Sequence, residues 1–152
     1  MRRHVGVTAV TAGAVVALVG TFLTWVRSGA AERSSYDVFD LVDRLGFSPN
    51  GVVGIALRGW PLVPLLLALS VAVHWWSVEH PLSQAARIVL TAIAAIYPGA
   101  IAVAVANAPE ISLFEVGPGP TVTVIGAAVM LLGQVLDTFL PRLLAPRSRT
   151  ET

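Results

Sequence analysis

Long apolar stretches separated by short polar segments dominate this chain. Stretches of 23, 20, 22 and 21 residues without a charged side chain lie between Arg3 and Arg27, Arg58 and Glu79, Arg87 and Glu110, and Glu115 and Asp137. A helix needs about 20 apolar residues to cross the hydrocarbon core of a bilayer, and a charge at its centre costs roughly 2.5–3.5 kcal/mol. The pattern predicts four transmembrane helices, at about residues 5–26, 60–78, 88–108 and 121–140.

Composition supports a location in the membrane. The 152 residues are 55% hydrophobic and only 12% charged, about half the charged fraction of an ordinary globular protein. Backbone polar groups cannot face lipid unpaired, so the spans should pack together as helices. We expect one domain over residues 1–152, an all-α membrane protein built as a bundle of four transmembrane helices with a short amphipathic helix in its first outer loop.

The chemical inventory excludes several classes of function. A net charge of +1 offers no basic surface for nucleic acid, and the absence of Cys excludes disulfides and thiolate metal sites. No glycine-rich phosphate loop, G-x-S-x-G or H-E-x-x-H motif occurs. The sequence therefore predicts a protein that is not an enzyme, with no catalytic, cofactor-binding or metal-binding residues and no cofactor.

The arginines indicate how the chain is threaded. With the N-terminus inside, six flank the cytoplasmic side (Arg2, Arg3, Arg87, Arg142, Arg147 and Arg149) and four lie outside. This asymmetry predicts a multi-pass protein of the plasma membrane with both termini cytoplasmic and a basic tail over residues 141–152. The first stretch could instead be a signal peptide, but it is longer than the 7–15 residues of a typical signal core, which favours an uncleaved span.

The outer loop, residues 27–59, contains a predicted amphipathic helix at about 36–45. Ser34 and Asp37 have the spacing of a capping box, and apolar residues then recur at helical spacing. The candidate docking face for a partner is Tyr36, Val38, Leu41, Val42 and Leu45. The alternative is a lid that covers the bundle. Residues 52–57 either lie in the membrane interface or extend the second helix.

Small residues recur along three of the predicted spans. Close approach of helices in lipid depends on such residues, and the candidate packing positions are Gly6, Gly13, Gly20, Gly99, Gly126 and Gly133. They serve either the packing of the bundle itself or the docking of another protein or a second copy.

Ionisable residues within a span are the first place to search for function. His74 and Asp137 lie at similar predicted depth near the cytoplasmic side, and Gln134 and Arg87 fall close enough to complete a polar cluster. The alternative is that Asp137 marks the end of its span and that His74 lies among lipid headgroups.

The sequence resembles small four-helix membrane proteins of unknown function from high-GC actinobacteria. The likeness covers about the first 80 residues and is carried by Trp25-Val26-Arg27-Ser28-Gly29, Arg33-Ser34-Ser35-Tyr36-Asp37 and Leu41 to Leu45. It implies no activity. The loop layout is also similar to that of claudin-type proteins, whose paired loop cysteines and Gly-Leu-Trp signature are absent from this chain.

Two functions follow as hypotheses. The first is a non-enzymatic accessory or scaffold subunit of a cell-envelope complex, which contacts the lipid bilayer and a membrane-protein partner or further copies of itself. The second is a small transporter or channel protomer that uses the His74 and Asp137 region, with a kink expected at Pro98. A membrane enzyme acting on lipid is a third, weaker alternative, for which no residues can be named.

Overall fold

A computed structural model describes residues 3–44, 52–79, 84–107 and 115–143. The elements follow in the order α1 (Arg3–Phe22), β1 (Thr24–Ser28), β2 (Ala31–Ser34), α2 (Ser35–Arg44), α3 (Val52–Arg58), a 3₁₀ turn (Trp60–Leu62), α4 (Val63–Glu79), α5 (Gln84–Ala106), β3 (Glu115–Val116) and α6 (Gly119–Leu143). Four helical segments are long and apolar enough to cross a membrane: α1, the 3₁₀ turn with α4, α5 and α6. The prediction of four such helices is confirmed.

The four long helices form a closed ring in which each packs mainly against two neighbours. The longest contact runs between α1 and α6, and α6 packs on α5, α5 on α4, and α4 on α1. Helices α1 and α5 begin at one end of the bundle, and α4 and α6 finish there. We call it the terminal end. The opposite end carries the cap, which comprises residues 24–44, 52–59 and 115–118.

Glycines allow α1 and α6 to approach closely. A Cβ added at Gly13 would lie 2.5 Å from the Met130 backbone nitrogen, and one added at Gly133 would lie 2.7 Å from that of Val10. All six predicted packing glycines lie at contacts between described helices: Gly6, Gly13, Gly20, Gly126 and Gly133 between α1 and α6, and Gly99 beside Ala127 between α5 and α6.

A small antiparallel sheet in the cap corrects the all-α prediction. Its strand order is β2-β1-β3, and β1 and β2 are joined by a turn in which Gly29 has a φ of 59°. An L residue avoids this conformation, whereas glycine adopts it freely. Trp25 is the extra residue of a bulge in β1 and is completely buried.

The first helix ends at Phe22, four residues before the predicted limit at residue 26. The apolar run continues through Trp25 and Val26, but these residues pair in the sheet. The Trp25 indole nitrogen donates to the Gly20 carbonyl oxygen at 2.9 Å, which satisfies one of the carbonyls left free at a helix end. The other spans begin and end within four residues of their predicted limits.

The loop helix occurs where the capping box predicts it. The Asp37 carboxylate accepts from the Ser34 backbone N–H at 3.0 Å and from its hydroxyl at 2.7 Å. The observed helix α2 spans Ser35–Arg44, against the predicted 36–45, and Leu45 lies outside the described residues. Residues 52–57 belong to the separate short helix α3, and the predicted tail beyond residue 143 is likewise outside the described part of the chain.

Candidate functional site

The terminal end contains a polar cluster centred on His74, whose side chain is completely buried. The ring Nδ1 lies 2.9 Å from the Ser70 carbonyl oxygen one turn earlier in α4. The ring Nε2 lies 2.8 Å from the amide oxygen Oε1 of Gln134 on α6. Both ring nitrogens therefore have a hydrogen-bonding partner inside the bundle.

Further hydroxyl groups extend this cluster across the helices. The Gln134 amide nitrogen donates to the Thr138 hydroxyl at 3.1 Å. On the α5 side, the hydroxyl oxygens of Ser70 and Thr91 are 3.2 Å apart, and both side chains are completely buried. Polar contacts of this kind help to hold helices together in lipid.

An ion pair joins α5 to α6 beside the histidine. Arg87 donates to the Asp137 carboxylate at 2.7 Å, and the two side chains are only 19% and 10% exposed. The same guanidinium lies 3.4 Å from the Ser77 hydroxyl, which itself donates to the His74 carbonyl oxygen at 2.8 Å. The Arg87 Nε is buried and has no hydrogen-bond partner among the described residues.

The structure brings together the four residues that the sequence singled out, as two linked pairs: His74 with Gln134, and Arg87 with Asp137. Three hydroxyl residues of the cluster were missed: Ser77, Thr91 and Thr138. Thr91 lies four residues after Arg87, so the two share one side of α5. This spacing could have identified Thr91 as a member of the cluster.

At the other end, aromatic rings fix the cap to the bundle. Trp60 contacts Trp25, Phe39 and Tyr97, with ring centroids 5.2, 4.9 and 6.2 Å apart. The buried Ser35 hydroxyl accepts from the Trp60 indole nitrogen at 2.9 Å and donates to the Thr21 carbonyl oxygen of α1 at 2.6 Å. Sequence reasoning omitted Phe39, although it lies three residues after Tyr36 and four after Ser35.

A groove of about 400 Å³ opens between α2 and α3. We call it the cap groove, and it is lined by Tyr36, Phe39, Asp40, Val42, Asp43, Leu57, Arg58, Trp60 and Pro61. Two residues of the predicted docking face, Tyr36 and Val42, line it. Val38 and Leu41 are half-buried and are not among its lining residues. The Tyr36 hydroxyl is buried and has no hydrogen-bond partner within the described chain.

Charged side chains of the cap are largely paired on its surface. Arg27 on β1 forms an ion pair with Glu32 on β2 and lies 4.0 Å from Glu115 on β3. The hydrogen bond from Arg27, followed by that from Thr24, lowers the pKa of Glu32 below its ordinary value. Hydrogen bonds from the Ser34 side chain and backbone likewise lower the pKa of Asp37.

A second groove, of about 330 Å³, lies within the spans between α1 and α4. Its lining is apolar apart from the Thr11 hydroxyl, and consists of Thr11, Ala14, Val15, Leu18, Pro64, Leu67, Ala68, Val71 and Ala72. The Trp75 indole nitrogen donates to Thr11 at 3.1 Å.

No group of His, Cys, Asp and Glu suited to a metal ion occurs among the residues that the structure describes. Comparison with protein-family models, curated proteins and solved structures finds no match for this chain.

Proposed function

We propose that this chain is a non-enzymatic accessory or scaffold subunit of a membrane assembly in the cell envelope, and that it binds its partner through the cap groove. One observation carries the proposal: a groove of about 400 Å³ lies open between α2 and α3. This volume falls within the roughly 300–1,000 Å³ typical of binding pockets.

Aromatic contacts and hydrogen bonds hold the wall of the groove in place, which favours binding with little rearrangement. Phe39 and Trp60 form part of its wall and also belong to the aromatic contacts that fix the cap to the bundle. Ser35 joins the same tryptophan to the end of α1. A surface already held in its binding shape loses less conformational entropy on association.

The lining suggests what the partner presents. Aromatic and aliphatic side chains such as Phe39, Val42 and Leu57 would accept a bulky apolar side chain, and Asp40 and Arg58 supply polar groups around it. An apolar centre with a polar rim is the usual anatomy of a protein interface. We therefore expect a protein partner that inserts an apolar anchor into the groove.

The proposed location is the plasma membrane, with multiple passes, cytoplasmic termini and the cap outside. The four candidate spans are compatible with such a protein. The arginine distribution supports this orientation, since six of ten would flank the cytoplasmic side.

The test is crosslinking in intact membranes, purification in mild detergent and mass spectrometry of co-purifying proteins. Val42→Ser alters the groove, and Val38→Ser makes the same change one turn earlier on α2, outside the lining. We expect one reproducible partner with the parent and with Val38→Ser, and its loss with Val42→Ser. A free monomer with no partner, or a partner kept by Val42→Ser, contradicts the proposal.

A second candidate function is a small transporter or channel protomer. It is favoured by one observation: a buried imidazole and a partly exposed Arg–Asp ion pair lie together between spans, where such groups often mark an ion pathway. Proton flux into vesicles containing the purified protein should then be abolished by His74→Ala and Asp137→Asn. Flux that is absent, or unchanged in these variants, excludes this candidate.

A further inference from the structure

The two ring nitrogens of His74 have partners of different chemical character. Nδ1 faces the Ser70 carbonyl oxygen, which can only accept a hydrogen bond. Nε2 faces the side-chain amide of Gln134. A primary amide has an accepting oxygen and a donating nitrogen of nearly the same shape, so Gln134 can present either end to the ring.

Both protonation states of His74 can therefore keep every hydrogen bond. In the charged state Nε2–H donates to the Gln134 oxygen and the amide nitrogen donates to the Thr138 hydroxyl, with the heavy atoms where the structure places them. In the neutral state Nδ1–H still donates to Ser70, while Nε2 accepts from the amide after it turns over. The Thr138 hydroxyl then donates to the amide oxygen, since a hydroxyl can fill either role.

We propose that His74 is a proton-binding site within the membrane span, and that the Gln134 amide turns over as the proton binds and leaves. The proton is gained and lost at Nε2, and Nδ1 stays protonated throughout. This inference is independent of the docking proposal, because it concerns the terminal end of the bundle and not the cap.

The neighbouring charges lie on two other helices. Arg87 on α5 and Asp137 on α6 are the charged groups around it; among the described side chains, α1 and α4 contribute none at this end. When His74 is neutral, the opposite charges of Arg87 and Asp137 cancel. A proton on His74 adds a third charge to this cluster, in which the Ser77 hydroxyl lies between Arg87 and the His74 carbonyl oxygen.

The experiment uses the full chain in lipid nanodiscs with ¹⁵N-labelled histidine and glutamine. The sequence has three His and two Gln. Replacing His4 and His80 with Asn leaves His74 as the only histidine signal, and Gln84→Asn leaves Gln134 as the only glutamine signal. Spectra are recorded at pH 8 and at pH 5. We expect one protonated ring nitrogen at pH 8, two at pH 5, and a shift of the Gln134 amide signal in the same step. An unchanged ring, or an amide signal that does not move, overturns the proposal.

Variants of Gln134 separate this role from the ordinary titration of a histidine. Gln134→Leu removes the acceptor for Nε2–H, so the second proton should be absent at pH 5. Gln134→Glu supplies a carboxylate, so both nitrogens should be protonated even at pH 8. Thr11→Val removes the hydrogen bond from Trp75 and should leave the ring spectra as in the parent. A Leu variant that titrates like the parent contradicts the proposal.

If the Leu variant does not fold, the pH-dependent amide signal of Gln134 in the parent protein decides the matter.

Discussion

Adding one methyl group at Gly13 should separate α1 from α6. The new Cβ of Gly13→Ala would lie 2.5 Å from the Met130 nitrogen and 2.7 Å from the Gly126 carbonyl oxygen. Ordinary contacts are about 3.5–4.0 Å, so the helices must part by roughly 1 Å, and backbone atoms cannot turn aside as a side chain can. Overpacking of this kind costs about 1–3 kcal/mol, and contact with backbone places it near the upper value.

Alanine is also more favourable than glycine in a helix by about 1 kcal/mol. Subtracting this gain from an overpacking cost of about 3 kcal/mol leaves a net loss of about 2 kcal/mol, or roughly a thirtyfold fall in the ratio of folded to unfolded protein. The matched control is Gly99→Ala, whose Cβ would meet only the Ala127 Cβ, at 3.2 Å. Alanine gains the same helix preference at this position, so the control should be between neutral and about 1 kcal/mol more stable than the parent. The assay is reversible unfolding in mixed micelles, followed by circular dichroism. Equal stability of the two variants would show that close approach of α1 and α6 does not require Gly13.

Three further predictions concern the ion pair, the loop helix and the cap. Asp137→Asn should lose about 3 kcal/mol in the same unfolding assay, because it leaves Arg87 buried without a carboxylate; replacing both residues with Leu should recover most of the loss. Because hydrogen bonds from Ser34 lower the pKa of Asp37, this carboxylate stabilises the fold above its ordinary pKa, and the contribution is lost as pH falls below about 4. Ser34→Ala should reduce that acid sensitivity, measured by tryptophan fluorescence of the cap. Trp60→Phe keeps an aromatic ring but removes a buried hydrogen bond to the cap and part of a completely buried side chain, and should lower the free energy of unfolding by about 2 kcal/mol or more; no change would mean that neither stabilises the cap.

Local sequence signals predicted the elements of the fold well where one segment alone decides the structure. The gaps between charged residues gave four helices because a membrane span is defined by its own length and hydropathy. The Ser34–Asp37 capping box identified the start of α2 because its hydrogen bonds lie within four residues. These features depend on neighbours along the chain.

Features that depend on distant segments were missed. Strand β1 continues an apolar run and is distinguished only by its pairing with β2 and with β3, where Val26 meets Val116. The depth of His74 and Asp137 could be estimated from topology, but the rotation that turns His74 toward Gln134 depends on how α4 packs against α5 and α6. Phe39 was omitted because its burial follows from the position of Trp60, far along the chain.

Photocrosslinking in intact membranes shows whether a partner protein occupies the cap groove. A photoreactive residue is placed at Val42, in the groove, or at Val38, outside it, and the membranes are irradiated. We expect one protein adduct of defined mass from position 42 and none from position 38. Adducts with lipid alone, or the same adducts from both positions, would contradict the docking proposal.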